Sequence, residues 1–406
     1  MSYLILSLCP LSFALAFILT LLVRSLALKI GFVDKPGGRK IHANPKPLGG
    51  GIAIFWGITL PILAALAFVH FFQPPHWLDD LLSPHVSHTT NIPPQSLAIA
   101  YWDGIRLQTP MAIGILAAAA ILHILGLVDD RKALGPMSKL IIQLTVVAVL
   151  VIGLDMRSMT FLDHLLPLGR WPSILVTILW IAGITNAFNF LDNMDGLSAG
   201  VAAVCTLAFL VTALGISQWF VAAGLALLLG SLLGFLCFNF PPATIFMGDA
   251  GSLVIGLFLG VLTVRTTYIA PEIQSHFASG WYALFAPLIV MAVPLYDLIV
   301  VSALRIRAGK SPFVGDANHL SHRLVARGMS RRTAVLCIYL ITAATALAAV
   351  VLTQVRSTHA AILIFAQTIL ILAVVALLEQ HPIPIPKPNN SAPNSPPSST
   401  TSSGHQ

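Results

Sequence analysis

Long runs of apolar residues dominate the chain and alternate with short polar segments. Eleven of these runs approach the roughly 20 apolar residues that a membrane-spanning helix needs. They lie at residues 3–28, 48–72, 109–127, 139–155, 173–188, 198–215, 218–238, 250–267, 281–303, 334–353 and 359–378. The pattern therefore predicts an all-α, polytopic membrane protein with about 11 transmembrane helices.

The composition agrees with this interpretation and excludes a soluble globular protein. Of the 406 residues, 57% are hydrophobic and only 9% are charged, against about 25% charged residues in soluble domains. Mean hydropathy is +0.87, so a lipid bilayer must form part of the solvent. Residues 1–380 are predicted to form one transmembrane domain. The Pro-, Ser- and Thr-rich segment 381–406 is predicted to be a disordered cytoplasmic tail.

The basic residues fall mainly on one side of the predicted helices. Cytoplasmic loops carry an excess of Lys and Arg, so we place the N-terminus outside and the C-terminus inside. The inside loops then contain Lys29, Lys35, Arg39, Lys40, Lys46, Arg131, Lys132, Lys139, Arg305, Arg307, Lys310, Arg323, Arg327, Arg331 and Arg332. The outside loops contain only Arg106, Arg157, Arg170, Arg265 and Arg356. This asymmetry explains the net charge of +7 without a nucleic-acid partner.

Acidic residues are rare, and several of them lie at the predicted inside ends of the spans. A carboxylate at the bilayer centre costs about 2.5–3.5 kcal/mol, so acids gathered at one membrane edge indicate a site. Asp129 and Asp130 end the third span. Two adjacent carboxylates repel each other, and Lys132, Lys139 or a metal ion could compensate them. The alternative is a charge cluster at the membrane edge.

A second cluster contains Asn189, Asp192 and Asp195, which recur every three residues. On a helical turn this spacing places the three side chains on one face. Amides and carboxylates arranged in this way suit a sugar, a ribose or a hydrated cation. The alternative is an ordinary helix cap and turn.

A third cluster surrounds Asp249, which precedes the predicted span 250–267 and lies between Gly248 and Gly251. Backbone N–H groups at a helix start favour an anion such as phosphate. A carboxylate beside them could hold Mg²⁺, which binds one or two carboxylates together with water and substrate phosphate oxygens. The alternative is a simple loop turn.

Two basic segments on the inside could bind phosphate. One contains His319, His322 and Arg323, and the other is the glycine-rich stretch 34–51 with Lys40. His and Arg can neutralise or grip phosphate groups, and basic loops steer anionic substrates. Surface loops without a function are the alternative for both. Asp297, near the inside end of its span, is either catalytic or paired with Arg305.

Together these segments resemble the polyprenyl-phosphate N-acetylhexosamine-1-phosphate transferase family. The resemblance covers residues from about 31 to 332. It is carried by Arg39-Lys-Ile-His42 with the glycines that follow, the Asp129-Asp130 pair, Asn189-Phe-Leu-Asp192-Asn-Met-Asp195-Gly, Phe246-Met-Gly-Asp249-Ala-Gly, and His319-Leu-Ser-His322-Arg323. Each motif alone is weak, but their order on one side of the membrane is specific.

The resemblance implies an Mg²⁺-dependent transferase, with Mn²⁺ as an alternative ion, in a bacterial inner membrane. Its active-site cleft would face the cytoplasm and make the transmembrane domain catalytic. The substrates would be a UDP-N-acetylhexosamine and undecaprenyl phosphate. The products would be UMP and a lipid-linked diphosphosugar that initiates cell-envelope glycan synthesis. The oligomeric state is left open, a homodimer included.

The family's motifs also imply roles for individual residues. Asp249 and Asp192 would hold the metal ion, and Asp129 would deprotonate the lipid phosphate with support from Asp130. His319, His322 and Arg323 would be catalytic residues that grip the diphosphate or sugar. The remaining residues would bind substrate: Asn189 and Asp195 near the nucleotide and metal, Asn239 and Phe246 at the uridine, with Lys40, Lys132 and Lys139 as further binding residues.

The motif His-Leu-Ser-His-Arg distinguishes between branches of this family. Phospho-MurNAc-pentapeptide translocase has three consecutive histidines followed by Phe-Glu at this point, so the chain looks more like the transferases of GlcNAc-1-phosphate. Ser321 stands where many of those have a histidine. The muropeptide donor, a transporter and a non-catalytic relative remain the alternatives. The attack can be direct, or it can proceed through an aspartate nucleophile.

Overall fold

The computed structural model describes residues 1–34, 45–75, 94–165, 167–266, 285–312, 318–354 and 357–380. Within these ranges the chain is mainly helical. The helices are α1 (Ser2–Lys29), α2 (Gly50–Phe71), α3 (Pro94–Arg131), α4 (Pro136–Gly153), α5 (Leu162–Leu165), α6 (Trp171–Leu191), α7 (Leu197–Gly215), α8 (Trp219–Asn239), α9 (Asp249–Arg265), α10 (Ala286–Val290), α11 (Ala292–Arg307), α12 (Leu320–Ala326), α13 (Arg331–Leu352) and α14 (Thr358–Gln380). Two short strands, β1 (Val33–Asp34) and β2 (Lys46–Pro47), pair antiparallel and are the described exception to the predicted all-α fold.

The prediction of a helical, polytopic membrane protein is confirmed. In the described residues, nine helices are long and apolar enough to cross a membrane, judged by length and composition. The other two predicted spans, 250–267 and 281–303, coincide with α9, which has 17 residues, and with the interrupted pair α10 and α11. The count of eleven crossings and the orientation in the membrane stay predictions.

The ninth predicted span is divided at Met291, between α10 and α11. Pro294 lies in the first turn of α11, and it has no N–H to donate to the carbonyl of Val290, four residues earlier. The Cys205 thiol of α7 donates to that carbonyl at 3.4 Å. The apolar run alone does not reveal this division, because apolar residues continue on both sides of Met291.

Helix α3 begins at Pro94 and not at residue 109, where the predicted third span starts. The additional turns carry polar side chains that cap the end of α2. The Trp102 indole N–H donates to the Val69 carbonyl at 2.9 Å, and the Arg106 guanidinium donates to the same oxygen at 3.1 and 3.2 Å. The last carbonyls of a helix lack partners within the helix, so this contact has a structural purpose. The polar residues before position 109, which the apolar pattern left outside the span, therefore belong to a helix and cap its neighbour.

Helix α9 is the centre of the bundle. All of its residues from Ala250 to Thr263 are buried, and it packs against α6, α3 and α2. A Cβ on Gly256 would lie 2.4 Å from the Thr185 Cα of α6, and a Cβ on Gly126 of α3 would lie 2.3 Å from the Ala250 nitrogen. Small residues permit this close approach between membrane helices. The start of α9 is therefore fixed by backbone contacts on two sides.

The starts of α2, α7, α9 and α13 meet the ends of α3, α6 and α8 at one end of the bundle. Backbone hydrogen bonds connect the segments there. The Phe246 N–H donates to the Pro47 carbonyl at 2.9 Å. The N–H groups of Gly50 and Gly51 donate to the carbonyls of Phe246 and Met247 at 2.9 and 3.1 Å. The fold thus gathers polar segments that are far apart in the sequence.

Candidate active site

A cavity of about 430 Å³ opens at this end of the bundle. Helix ends and connecting segments from distant parts of the chain line it. The lining residues are Asp34, Lys46, Leu48, Asp130, Asp192, Asn193, Met194, Asp195, Asn239, Phe246, Gly248, Asp249, His322 and Arg331. Carboxylates and cations therefore face one space, as expected for a phosphate-bearing ligand.

Asp249, the first residue of α9, is held at both carboxylate oxygens. The Asn189 amide donates to Oδ1 at 2.9 Å, and the Lys139 ammonium donates to Oδ2 at 2.6 Å. Lys139 also contacts Asp129 Oδ2 at 3.0 Å. One cation from α4 therefore neutralises two carboxylates, one from α3 and one from α9. Of the two residues predicted for compensating the Asp129–Asp130 pair, it is Lys139 that reaches it.

Asp130 caps the start of α9 from the neighbouring helix α3. Its carboxylate accepts the Asp249 N–H at 2.8 Å and the Ala250 N–H at 3.3 Å. Carboxylates are stabilised at helix N-termini by the unpaired N–H groups and the helix dipole. Gly248 is required here because its φ is +72° and a Cβ would lie 2.4 Å from an Asp130 oxygen.

Asp192 follows α6 and faces the cavity, with the Gly248 N–H close to its carboxylate. Burial raises the pKa of Asp192 well above its usual range, and the carboxylates of Asp249 and Asp130 raise it further. An ionised Asp192 is therefore poorly solvated and is repelled by two neighbouring carboxylates. A bound cation would relieve that repulsion.

Asp195 and Asn239 connect the segments around the cavity. Asp195 Oδ2 accepts the Ala243 N–H at 2.9 Å and lies 3.5 Å from the Lys46 ammonium. Asn239 is buried, accepts the Gly196 N–H at 3.0 Å, and donates to the Ile245 carbonyl at 2.9 Å. The Asn239 side chain, predicted to bind uridine, thus uses both its oxygen and its nitrogen to hold the segments that contain Gly196 and Ile245.

The structure separates the three predicted residues of the histidine motif. His322 lines the cavity. His319 is buried and contacts Asp297 Oδ2 through Nδ1 at 2.7 Å. Arg323 donates to Glu379 of α14 at 2.9 Å. Only His322 is therefore placed to touch a ligand in the cavity, whereas His319 and Arg323 are engaged with protein carboxylates.

Of three further predicted residues, two do not line the cavity and one lies outside the described residues. Asp129, the predicted base, accepts the Leu134 N–H at 2.7 Å as well as Lys139, and it does not line the cavity. Lys132 is exposed to solvent and is not a lining residue. Lys40 lies outside the described residues.

Lys46 and Arg331 are lining residues whose individual roles the sequence did not indicate. Lys46 lies 4.9 Å from the centre of the Phe246 ring and also contacts Asp195. Arg331 is the first residue of α13. Lys46 belongs to the basic stretch 34–51 predicted to bind phosphate but was not selected within it, and Arg331 was grouped only with the basic inside residues. Lys46 lies in β2, shortly before α2 begins at Gly50, and Arg331 begins α13; proximity to a helix start was the signal that could have selected them.

Among the described residues, no group of three or more His, Cys, Asp or Glu side chains is arranged to hold a metal ion by itself. Mg²⁺ commonly uses only one or two carboxylates and keeps water and substrate phosphate as its other ligands. Asp192 and Asp249 offer carboxylates to the same cavity, beside Asp130. This donor set of oxygen atoms around open space fits Mg²⁺.

Residues 112–267 match the glycosyl transferase family 4 profile. A probable undecaprenyl-phosphate N-acetylglucosaminyl 1-phosphate transferase of Bacillus subtilis is 33% identical over 82% of this chain and 81% of its own length. A decaprenyl-phosphate N-acetylglucosaminephosphotransferase of Mycolicibacterium smegmatis is 33% identical over 78% of this chain and 74% of its own length. An undecaprenyl-phosphate alpha-N-acetylglucosaminyl 1-phosphate transferase of Salmonella typhimurium is 28% identical over 79% and 76%.

These relatives match the chain along most of its length, and their names agree with the family indicated by its motifs. The chain belongs to the polyprenyl-phosphate N-acetylhexosamine-1-phosphate transferases of glycosyl transferase family 4, on the side of the undecaprenyl-phosphate GlcNAc-1-phosphate transferases.

Proposed function

We propose that this enzyme transfers GlcNAc-1-phosphate from UDP-GlcNAc to undecaprenyl phosphate. The carrying observation is that Asp192 and Asp249 share one cavity with Lys46, His322 and Arg331. Such a cavity can hold a diphosphate and a metal ion together. The relatives named for transfer to polyprenyl phosphates support the same acceptor class. The products are UMP and a lipid-linked diphosphosugar that begins a cell-envelope glycan, such as lipopolysaccharide O-antigen or teichoic acid.

The proposed membrane arrangement has eleven crossings in a bacterial inner membrane, with the N-terminus outside. In the part of the chain that the structure describes, nine helices qualify by length and composition, and α9 and the α10–α11 pair would be the other two crossings. The cavity lies where the basic inside residues gather, so it opens to the cytoplasm. That position gives the soluble donor access and keeps the phosphate of the lipid acceptor at the membrane edge.

Phosphoryl transfer depends mainly on positioning the reactants and neutralising charge. Lys46, Arg331 and His322 are placed to bind the donor's diphosphate. Asp249 and Asp192 would hold Mg²⁺, which supplies electrostatic stabilisation of the diphosphate and of the departing UMP when it is bound. Asn189 and Lys139 orient Asp249 through direct hydrogen bonds.

In the direct reaction, an oxygen of the lipid phosphate forms a bond to the donor's β-phosphorus. The bond from that phosphorus to the bridging oxygen breaks, and the oxygen leaves with UMP. Asp129, the predicted base, accepts from Leu134 and Lys139 and does not line the cavity, whereas Asp130 and Asp192 do, so the proton would pass more directly to one of these two. A phospho-aspartate trapped with donor alone would contradict the direct reaction and establish the two-step one.

The test is UMP release by purified protein in lipid nanodiscs with undecaprenyl phosphate and UDP-GlcNAc. We expect Mg²⁺-dependent release by the wild type and a loss of at least about 100-fold in Asp249→Ala, since both charge stabilisation and positioning are lost. Asp103→Ala is the matched control because Asp103 is largely exposed and pairs only within α3.

Other donors distinguish the branches of the family. Turnover with the muropeptide donor and none with UDP-GlcNAc would overturn the sugar assignment in favour of phospho-MurNAc-pentapeptide transfer. Silence with every UDP-N-acetylhexosamine would overturn the proposed function. A transporter is disfavoured because the acidic residues meet at one end of the bundle, whereas transporter sites lie near the membrane midplane.

A further inference from the structure

Side-chain contacts hold α12, the short helix that carries His322. At its start, His319 contacts Asp297 of α11 at 2.7 Å, and the Leu320 N–H donates to the other Asp297 oxygen at 2.7 Å. Ser321 is buried and donates to the side chain of Asn193, which lies between Asp192 and Asp195 in the connection from α6 to α7. These contacts hold the three residues directly before His322.

Arg323, which follows His322 directly, is held by a carboxylate from α14, the last helix in the described residues. Arg323 donates to Glu379 Oε1 at 2.9 Å, and the Tyr296 hydroxyl of α11 donates to Glu379 Oε2 at 3.2 Å. The side chains of Arg323 and Glu379 are only 13% and 7% exposed. Glu379 is the only acidic residue of α14, and it joins three helices.

Apolar packing holds α14 only weakly. Only 17% of the residues in its most apolar stretch are buried, the smallest share among the nine described helices that could cross a membrane. A groove of about 300 Å³ separates its middle part from α10 and α11, and its lining is almost entirely apolar. Glu379 is thus a polar attachment on a helix that otherwise has much of its surface outside the protein core.

We propose that Glu379 is a positioning residue that acts through Arg323 to hold α12 and thereby to place His322 in the cavity. Its catalytic meaning rests on the proposed function. Removing the carboxylate would leave the Arg323 guanidinium largely buried beside uncharged groups, which is unfavourable. Arg323 would turn toward water and move α12. The structure assigns Arg323 to holding this helix, in place of the direct grip on diphosphate or sugar that the sequence suggested.

The kinetic effect should appear in the Michaelis constant for the donor. If α12 spends only a fraction of the time in its productive position, the apparent affinity for a ligand that touches His322 falls by that fraction. A saturating donor restores the productive position, so the maximal rate changes little. A merely structural loss would instead lower the amount of active enzyme and leave the Michaelis constant unchanged.

The experiment compares Glu379→Gln with the wild type in nanodiscs at saturating undecaprenyl phosphate. We expect the KM for UDP-GlcNAc to rise about tenfold and kcat to stay within about twofold. Arg323→Gln should act similarly, and the double variant should be no worse than either single variant, because each of them removes the same Arg323–Glu379 ion pair. Thr368→Val is the matched control in α14, since its hydroxyl bonds within that helix. An unchanged KM, or additive effects of the two substitutions, would overturn the proposal.

A second measurement does not need turnover. Diethyl pyrocarbonate acylates accessible histidines, and mass spectrometry separates the modification of His319 from that of His322. Glu379→Gln should raise the labelling rate of His319, which is buried in the wild type, several-fold. Unchanged rates at both histidines would overturn the proposal. A wild type that releases no UMP with any donor would refute the proposed function, and this labelling would still decide whether Glu379 positions α12.

Discussion

Gly126→Ala should misplace the start of α9 and with it Asp249. A Cβ on Gly126 would lie 2.3 Å from the Ala250 nitrogen, 2.4 Å from its Cα and 2.5 Å from the Asp249 carbonyl carbon. These are backbone atoms, so no side chain can turn aside to relieve the contact. Ordinary van der Waals contact begins near 3.4 Å. Helices α3 and α9 must therefore separate by about 1 Å.

That separation would lengthen the hydrogen bond between the Asp249 N–H and Asp130 from 2.8 Å to nearly 4 Å. A displacement of about 1 Å in a catalytic group commonly costs about 100-fold in rate. Overpacking itself costs about 1–3 kcal/mol of stability. We therefore expect kcat/KM for UMP release to fall by about 100-fold, with folded protein still obtainable.

Gly104→Ala is the matched control. Gly104 lies in the same helix, and a Cβ there would meet nothing within 4 Å. This substitution should keep full activity, and its helix propensity can add about 1 kcal/mol of stability. Activity of Gly126→Ala within about twofold of the wild type would refute the reasoning that backbone contact between α3 and α9 sets the site.

Two further predictions concern charge. Lys139→Met should destabilise the folded protein by about 3–5 kcal/mol in urea or thermal unfolding, because Asp129 and Asp249 lose their shared cation; a loss below about 1 kcal/mol would contradict the role of this bridge. Burial raises the pKa of Asp192 in the folded protein above its unfolded value. Its contribution to stability is therefore complete below the ordinary carboxyl pKa of about 4, and is lost as the pH rises through the raised value. With divalent cations removed by a chelator, the thermal unfolding midpoint of Asp192→Asn should fall less with rising pH than that of the wild type. The same pH dependence in both proteins would argue against the raised pKa of Asp192.

The apolar pattern was sufficient for the membrane class and for the positions of most helices, because a spanning helix must be apolar almost throughout. It failed where a polar residue serves another helix, as in the Arg106 cap on α2, and where Pro294 divides a uniform apolar run. The first failure arises from a contact between segments distant in the sequence, and the second from a backbone hydrogen bond that proline cannot make four residues away.

The candidate site shows the same limit. The acidic motifs were predicted to share one site, and the structure brings Asp130, Asp192 and Asp249 to one cavity. The orientation of α12 could not be predicted, since it depends on Asp297 for His319 and on Glu379 for Arg323. Residue type alone gave all three members of the histidine motif the same role. Their tertiary partners distinguish them.

The shortness of α9 has a consequence for the depth at which the substrates meet. Its 17 residues rise about 25 Å, roughly 5 Å less than the hydrocarbon thickness of a typical bilayer. If α9 crosses the membrane as proposed, this mismatch exposes no backbone to lipid and needs no local thinning of the bilayer, because its residues from Ala250 to Thr263 are buried in protein. We expect Asp249 to lie in a water-filled recess below the headgroup plane. The sugar nucleotide would then enter this recess, and the acceptor phosphate would react there without leaving the membrane.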